Sequence, residues 1–255
     1  MRYLFLSLLC FSSIKGLELK RAIVSTDENR LYLEFWPSVA KAWSAMGIRP
    51  TLVLIAREEC VDTTIGDVIR FDPIEGISTA MQAQVYRLFL PALFPEEGCL
   101  ISDMDMIPIS KDYFVESAEP CPDDAFVVYR NGEFAGDQYP MCYVAAKGKI
   151  FSSIFRIASA SDFADRLREC RAQFNCWETD QLILFKWANV WQANGGNMVK
   201  LDHKVTHRLD RAHWQPYWTP KQIASSIDAH CPRPYSLYRE SIDGIVQAVV
   251  KNNKP

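Results

Sequence analysis

The sequence predicts an α/β sandwich with a mostly parallel central sheet. Its first hundred residues alternate as strand, helix, strand, strand, helix and strand. Residues 50–56 form a continuous apolar run, which is typical of a strand covered by helices on both faces. Polar residues follow the first and the last of these strands, and ligands of such sheets bind beyond the carboxyl ends of the strands. We therefore expect a functional site at that edge.

The first half of the chain carries the most regular pattern. In chain order it is predicted to contain a strand at 20–27, a helix at 31–46, strands at 50–56 and 68–71, a helix at 79–94 and a strand at 99–109. Gly47 follows the first helix, in the position that helix-terminating glycines prefer. The second half is predicted to contain strands at 125–130 and 139–146 and helices at 150–157, 162–174 and 178–191. The tail from 198 to 238, rich in His, Trp, Tyr and Pro, is predicted to wrap a site irregularly.

Composition limits the functions that the chain can have. The 255 residues carry a formal charge of −3 and no basic tract, which argues against nucleic-acid binding by phosphate neutralisation. A local basic pocket for a small phosphorylated ligand is still compatible with this charge. No linker or repeat interrupts the pattern, so residues 19–250 are predicted to form a single domain.

The N-terminal residues 1–18 combine a short positive end with an apolar run. This pattern favours a signal peptide, or else a short hydrophobic segment, because a membrane span needs about 20 apolar residues. The protein would be directed to the secretory pathway or outside the cytoplasm if the segment is a signal, and would be cytoplasmic otherwise. The eight cysteines include no C-x-x-C pair, so a zinc ribbon or thioredoxin-type site is not indicated, and disulfides are left open.

Two carboxylates, Asp103 and Asp105, interrupt the apolar run at 99–109. On a strand, residues two apart point to the same face, and two buried like charges are costly unless they bind a cation. Carboxylate oxygens suit Mg²⁺ or Mn²⁺, which often connect protein carboxylates to substrate phosphates. The pair therefore indicates a divalent-cation site, although a bare D-x-D is also compatible with one Asp capping a turn and the other in solvent.

The context of this pair carries a resemblance to a known family. Segment 84–95, with Tyr86, Arg87 and Leu88, is followed by a short turn and then by the D-x-D strand. This arrangement resembles nucleotide-sugar-dependent glycosyltransferases of the GT-A fold, closest to the glycogenin and lipopolysaccharide galactosyltransferase-like group. The resemblance implies a Rossmann-like α/β/α sandwich, a Mn²⁺ or Mg²⁺ ion, and a UDP- or GDP-linked sugar as donor. The acceptor would be a glycan, a lipid or a protein.

The resemblance also assigns residues outside the D-x-D. Asp27 follows the first strand, where the group holds the nucleotide base or ribose. Asp180 and Gln181 match the first two residues of the family's D-Q-D-I-L-N segment, while Leu182 stands where the family has a second Asp. Asp105 is expected to bind the metal directly, and Asp103 is expected to be shared between the metal and the ribose.

A C-terminal segment, residues 228–235, is similar to the family's His-x-x-x-x-Lys-Pro-Trp motif. His230 would be the third metal ligand, and Arg233 stands in place of the lysine that reaches the diphosphate. Its spacing is shorter than in the family and Tyr235 replaces the Trp. His203, His207 and His213 are alternative third ligands, with His207 the strongest of them.

Sugar transfer also needs groups at the diphosphate and at the anomeric carbon. Arg87 or Arg233 would add positive charge at the phosphates. Asp180 or Glu178 would act as general base if the transfer inverts configuration. If it retains configuration, as the resemblance favours, Asp180 or Gln181 would lie beneath the sugar. In the alternative interpretations, Arg87 forms a surface ion pair and Asp180 caps the helix that follows it.

The D-x-D is also compatible with other functions. A haloacid-dehalogenase-like phosphatase uses the first Asp as nucleophile, but Ile107 stands where that family has a Thr. A nucleotidyltransferase would need a Gly-rich phosphate loop after the first strand, and this loop is missing. A non-catalytic sugar- or cation-binding module is the third alternative.

Overall fold

Residues 16–58, 61–131, 136–201 and 207–253 are described by the structure, a computed structural model of the chain. The strands are β1 (Leu19–Asp27), β2 (Arg49–Ile55), β3 (Asp67–Phe71), β4 (Gly98–Ile101), β5 (Met106–Pro108), β6 (Ala125–Val128), β7 (Val144–Lys147), β8 (Asn197–Lys200), β9 (Arg208–Asp210) and β10 (Asp228–His230). The α-helices are α1 (Arg30–Leu33), α2 (Trp36–Ala45), α3 (Thr79–Phe89), α4 (Gly148–Phe155), α5 (Phe163–Gln173), α6 (Thr179–Ala193), α7 (Pro220–Ala224) and α8 (Tyr235–Asn252).

The central sheet has the strand order β3-β2-β1-β4-β7-β6-β8. Within it, β7 runs antiparallel to both of its neighbours, and the other pairs are parallel. A second sheet has the order β5-β10-β9, with β10 antiparallel to β5 and parallel to β9. The predicted α/β class with a mostly parallel sheet is therefore confirmed.

Helices cover both faces of the central sheet. Alternate residues of a strand point to opposite faces, so Val24 of β1 packs with α2 and α8, whereas its neighbour Ile23 packs with α3 to α6. Both side chains are fully buried. This is why residues 22–24 of β1 and 52–55 of β2 are continuously apolar instead of alternating with polar residues.

Prolines end or divide two of the predicted helices. The helix expected at 31–46 is split into α1 and α2, and Pro37 lies in the first turn of α2, where its missing N–H costs nothing. The helix expected at 79–94 ends at Phe89 and continues as a 3₁₀ turn, Leu90–Leu93, that contains Pro91. Gly47 has a φ of 80° directly after α2, as the helix-termination pattern predicts.

Two predictions about strands and tail were wrong. The strand expected at 99–109 ends at Ile101, and the chain resumes as β5 in the second sheet. The tail expected to be irregular contains β8, β9, β10 and α7 and leads into α8, which buries Ile242, Ile245, Val246 and Val249. None of the described helices is long and apolar enough to cross a membrane. The predicted signal segment lies largely outside the described residues.

Candidate active site

A cleft of about 530 Å³ lies beyond the carboxyl ends of β1 and β4. It is the edge of the sheet at which the sequence predicts a site. The sequence-predicted residues that line it are Asp27, Arg87, Asp103, Asp105, Asp180, Gln181, His230 and Arg233. Glu178 does not line the cleft; it occupies the N-cap position of α6, and its side chain makes no capping hydrogen bond there. Its proposed role as an alternative base is therefore not supported by its position.

The two aspartates of the D-x-D lie in a turn and not on a strand. Backbone hydrogen bonds hold both ends of this turn: the Ser102 amide donates to the Ile23 carbonyl (2.9 Å), and the Cys231 amide donates to the Asp105 carbonyl (2.8 Å). The turn is thus tied to β1 on one side and to the residue after β10 on the other. The argument from strand periodicity was wrong, but both carboxylates still reach the same cleft.

Arg87 connects two of the predicted carboxylates. Its guanidinium donates to Asp103 and, through Nη2, to Asp180 Oδ2 at 2.6 Å. The side chains of Arg87 and Asp180 are 7% and 2% exposed, so this is a buried ion pair and not the surface ion pair of the alternative interpretation. Burial raises the pKa of Asp180 even though Arg87 opposes this shift.

Three basic groups surround Asp105. Its Oδ2 lies 3.3 Å from Arg211 Nη1, 3.6 Å from Arg233 Nε and 3.8 Å from His230 Nε2. Burial and the nearby Asp103 raise the pKa of Asp105, although the three basic groups lower it. A divalent cation bound here would offset the electrostatic repulsion between Asp103 and Asp105.

A further carboxylate lies on the other side of His230. Because β9 and β10 are parallel, Asp210 pairs in register with His230, and its Oδ2 lies 3.5 Å from His230 Nδ1. Burial alone would raise the pKa of Asp210, but the Ala212 amide and His230 hold it below its usual value. His230 therefore stands between Asp210 at Nδ1 and Asp105 at Nε2.

Of the alternative histidines, His207 and His213 are exposed and do not line the cleft. His203 lies outside the described residues. Asp27 lines the cleft at the end of β1, where it accepts hydrogen bonds from Thr79 Oγ1 (2.7 Å) and from the Asn29 amide (3.1 Å).

Several cleft residues were missed by the sequence analysis. Arg233 lies over the ring of Tyr32, with its guanidinium carbon 4.5 Å from the ring centroid, and donates a hydrogen bond to the Tyr32 hydroxyl. Arg211 lines the cleft, and its neighbour Asp210 contacts His230 from outside the lining; both lie in segment 201–214, where the sequence pattern pointed to histidines alone. Arg208 forms a bidentate pair with the fully buried Asp228, with contacts of 2.7 and 2.8 Å. The basic residues of that segment were a usable signal for a phosphate site.

Asp103, Asp105 and His230 are of the residue types that bind divalent cations. Two carboxylates and one imidazole are ligands that Mn²⁺ accepts. Within the described ranges, no three His, Cys, Asp or Glu side chains converge as they stand on one ion position. Asp103 is held by Arg87, and Asp105 is surrounded by the three basic groups. Small rearrangements of these two side chains would be needed to bind an ion.

The fold, a mostly parallel sheet covered by helices with a cleft at its carboxyl edge, is one that known glycosyltransferases share. The structure of this chain is similar to that of the glycosyltransferase GlyE of Streptococcus pneumoniae TIGR4, with a TM-score of 0.54 and 12% identity over 92% of this chain and 63% of GlyE. It is also similar to the bifunctional glycosyltransferase WbbM, with a TM-score of 0.53 and 9% identity over 93% of this chain and 52% of WbbM. The comparison with the galactosyltransferase LgtC, in complex with donor and acceptor sugar analogs, has a TM-score of 0.48 and 11% identity over 91% of this chain and 96% of LgtC.

The assignment of the fold rests on GlyE and WbbM, of which this chain spans about two thirds and one half. No protein-family model matches the chain, and no curated protein matches it in sequence. At this level of identity the similarity establishes the fold alone. The chemistry has to be argued from the cleft.

Proposed function

We propose that the protein is a divalent-cation-dependent glycosyltransferase that moves a sugar from a UDP- or GDP-linked donor to an acceptor hydroxyl. The observation that carries the proposal is one cleft that holds Asp103, Asp105 and His230 beside Arg211 and Arg233. Two acids, an imidazole and two guanidinium groups are what a metal-bound diphosphate requires. The glycosyltransferase fold supports the same reaction class.

The diphosphate would bind at the basic groups around Asp105. Guanidinium groups bind phosphate oxygens in a bidentate manner, and Arg211 and Arg233 both reach this position. In the free protein Asp105 provides their counter-charge. The nucleoside would extend toward Asp27 at the end of β1 and Asn29 at the N-cap of α1, both of which line the same cleft.

Asp103, Asp105 and His230 would hold Mn²⁺ or Mg²⁺, which supplies Lewis-acid neutralisation of the diphosphate leaving group. The carboxylate of Asp210 lies at Nδ1 of His230 and so orients the imidazole with Nε2 toward Asp105. Arg87 fixes the carboxylate of Asp103 beside this site through an ion pair.

In the reaction, the bond between the anomeric carbon and the diphosphate oxygen breaks, and its electron pair leaves with the diphosphate. The acceptor oxygen bonds to the anomeric carbon, and its proton passes to the departing diphosphate. Both oxygens of Asp180 are already engaged, one by Arg87 and the other by the Gln181 amide at 2.9 Å. Asp180 is therefore assigned to orienting Arg87 and Gln181 beneath the sugar. This role favours transfer with retention of configuration over an inverting transfer in which Asp180 is the general base.

The proposal is tested with the full chain, Mn²⁺ and a panel of UDP- and GDP-sugars, by measuring release of the nucleoside diphosphate. Asp105→Asn is expected to lower the rate about 100-fold or more, because a metal and diphosphate site loses a direct ligand. Asp165→Asn is the matched control, since Asp165 is 83% exposed and pairs with Arg168 on the surface.

Two results would contradict the proposal. One is the absence of any Mn²⁺-dependent binding or cleavage of a nucleotide sugar by the wild-type protein. The other is release of inorganic phosphate from a generic phosphoester that Asp103→Asn alone abolishes, which would indicate the phosphatase instead.

A further inference from the structure

The walls of the cleft differ in charge. One wall, from β9, β10 and the residues after them, carries the basic groups of Arg211, His230 and Arg233. Another wall, from α3 and the beginning of α6, has no net charge: it presents Ala80, Ala83, Gln84, Trp177 and Gln181 to the cleft, and its two charged members, Arg87 and Asp180, neutralise each other in a buried ion pair. A charged diphosphate matches the first wall. The second matches a neutral ligand with both apolar and hydroxyl surface.

Trp177 is the most unusual residue of the uncharged wall. Its side chain is 62% exposed although large aromatic residues normally gain stability by burial. Its backbone is nevertheless held, because its carbonyl accepts a hydrogen bond from Gln84 Nε2 (3.3 Å), and the buried Thr179 Oγ1 donates to the neighbouring Cys176 carbonyl (2.8 Å). A fixed turn thus keeps an indole at the mouth of the cleft.

Gln181 adds a second requirement for the ligand. Its Oε1 is buried and accepts no hydrogen bond from any described residue. A buried carbonyl oxygen without a donor is costly, so a ligand that brings a hydroxyl donor would stabilise it. A phosphate offers acceptors alone at neutral pH, whereas a sugar offers several hydroxyl donors.

We infer that the uncharged wall is a saccharide subsite and that the acceptor is a glycan whose terminal sugar packs against Trp177. A pyranose has an apolar C–H face for the indole and hydroxyl groups at its edge for the amides. The inference rests on the proposed function and names its acceptor class: a hydroxyl of the stacked sugar attacks the anomeric carbon, the diphosphate leaves, and the hydroxyl proton goes with it.

Steady-state kinetics with oligosaccharide acceptors test the inference through Trp177→Ala and Trp177→Phe. Trp177→Ala is expected to raise KM for the acceptor about tenfold or more while KM for the donor changes less than about twofold, and Trp177→Phe is expected to recover most of the loss. Tyr217→Ala is the matched control, since Tyr217 is 69% exposed and does not line the cleft. An unchanged acceptor KM in Trp177→Ala, or transfer by the wild type to hydroxyl peptides or lipid alcohols alone, would overturn the inference.

A binding experiment separates this inference from the proposed function. Saturation-transfer NMR with maltotriose, lactose and chitotriose needs neither donor nor turnover. Contact of at least one sugar with the wild type that Trp177→Ala abolishes supports the subsite even if no nucleotide sugar is cleaved. Contact with none of the three, or contact that Trp177→Ala leaves intact, contradicts it.

Discussion

Replacing Arg87 with methionine would leave the carboxylate of Asp180 buried without its cation. Methionine fills a similar volume and carries no charge, so the change isolates the ion pair. Of the two partners of Arg87, Asp103 is 34% exposed and can be solvated, whereas Asp180 is 2% exposed and cannot. The cost is therefore expected to come mainly from Asp180.

Removing one partner of a buried ion pair typically costs about 3–5 kcal/mol. For a chain of this size, each kcal/mol lowers Tm by about 2 °C, so Arg87→Met is expected to melt about 6–10 °C below the wild type. The raised pKa of Asp180 would rise further in the variant. The folded state would then hold a proton that the unfolded state releases near pH 4, so the loss of stability grows as the pH rises toward 7.

Thermal unfolding of three variants checks this reasoning. The double variant Arg87→Met/Asp180→Asn removes the stranded charge and is expected to regain at least about 2 kcal/mol, or about 4 °C. Arg168→Met, at a 57% exposed surface pair, is the control and should shift Tm by less than about 2 °C. A double variant no more stable than Arg87→Met, or an Arg87→Met protein with wild-type stability, would refute the argument.

Two further predictions concern carboxylates outside the D-x-D. Asp210→Asn is expected to weaken Mn²⁺ binding by the nucleotide-free protein about 10- to 100-fold, measured by titration calorimetry, because the Nδ1 side of the His230 imidazole loses its negatively charged partner; an unchanged affinity would show that the charge of Asp210 does not support this ligand. Asp67→Asn leaves Arg21, which is 4% exposed, with one carboxylate fewer, and is expected to cost about 1–3 kcal/mol at pH 7 in urea titrations. Burial alone would raise the pKa of Asp67, but the ion pair with Arg21 lowers it in the folded state. The stabilisation by Asp67 is therefore present above the pKa of the unfolded state and is lost as the pH falls through the pKa of the folded state. A stability difference between variant and wild type that does not shrink toward pH 3 would contradict the assignment.

The sequence was informative where local pattern decides the structure. The apolar runs of β1 and β2 and the turn signal at Gly47 depend on neighbouring residues, and all three were predicted. The position of Asp103 and Asp105 at the carboxyl edge of the sheet was also predicted, but the reason given for the alignment of their two side chains did not hold. A strand would have aligned the two side chains, whereas in the protein the turn between β4 and β5 does so.

The rest of the site depends on contacts that no local pattern encodes. Asp210 reaches His230 because β9 and β10 pair in register, and that pairing joins segments separated by helix α7. Glu178 illustrates the opposite error. It is close to Asp180 in sequence, but residues two apart at the start of a helix point in different directions, so one carboxylate enters the cleft and the other does not.

The small sheet of β5, β10 and β9 has a consequence for biosynthesis. β5 follows the D-x-D directly, and its partner β10, which carries His230, comes from the last part of the chain. Closing so large a loop is entropically slow and requires that both strands be available. During translation the D-x-D turn emerges long before His230, so a nascent chain cannot assemble this pocket until its C-terminal segment has left the ribosome.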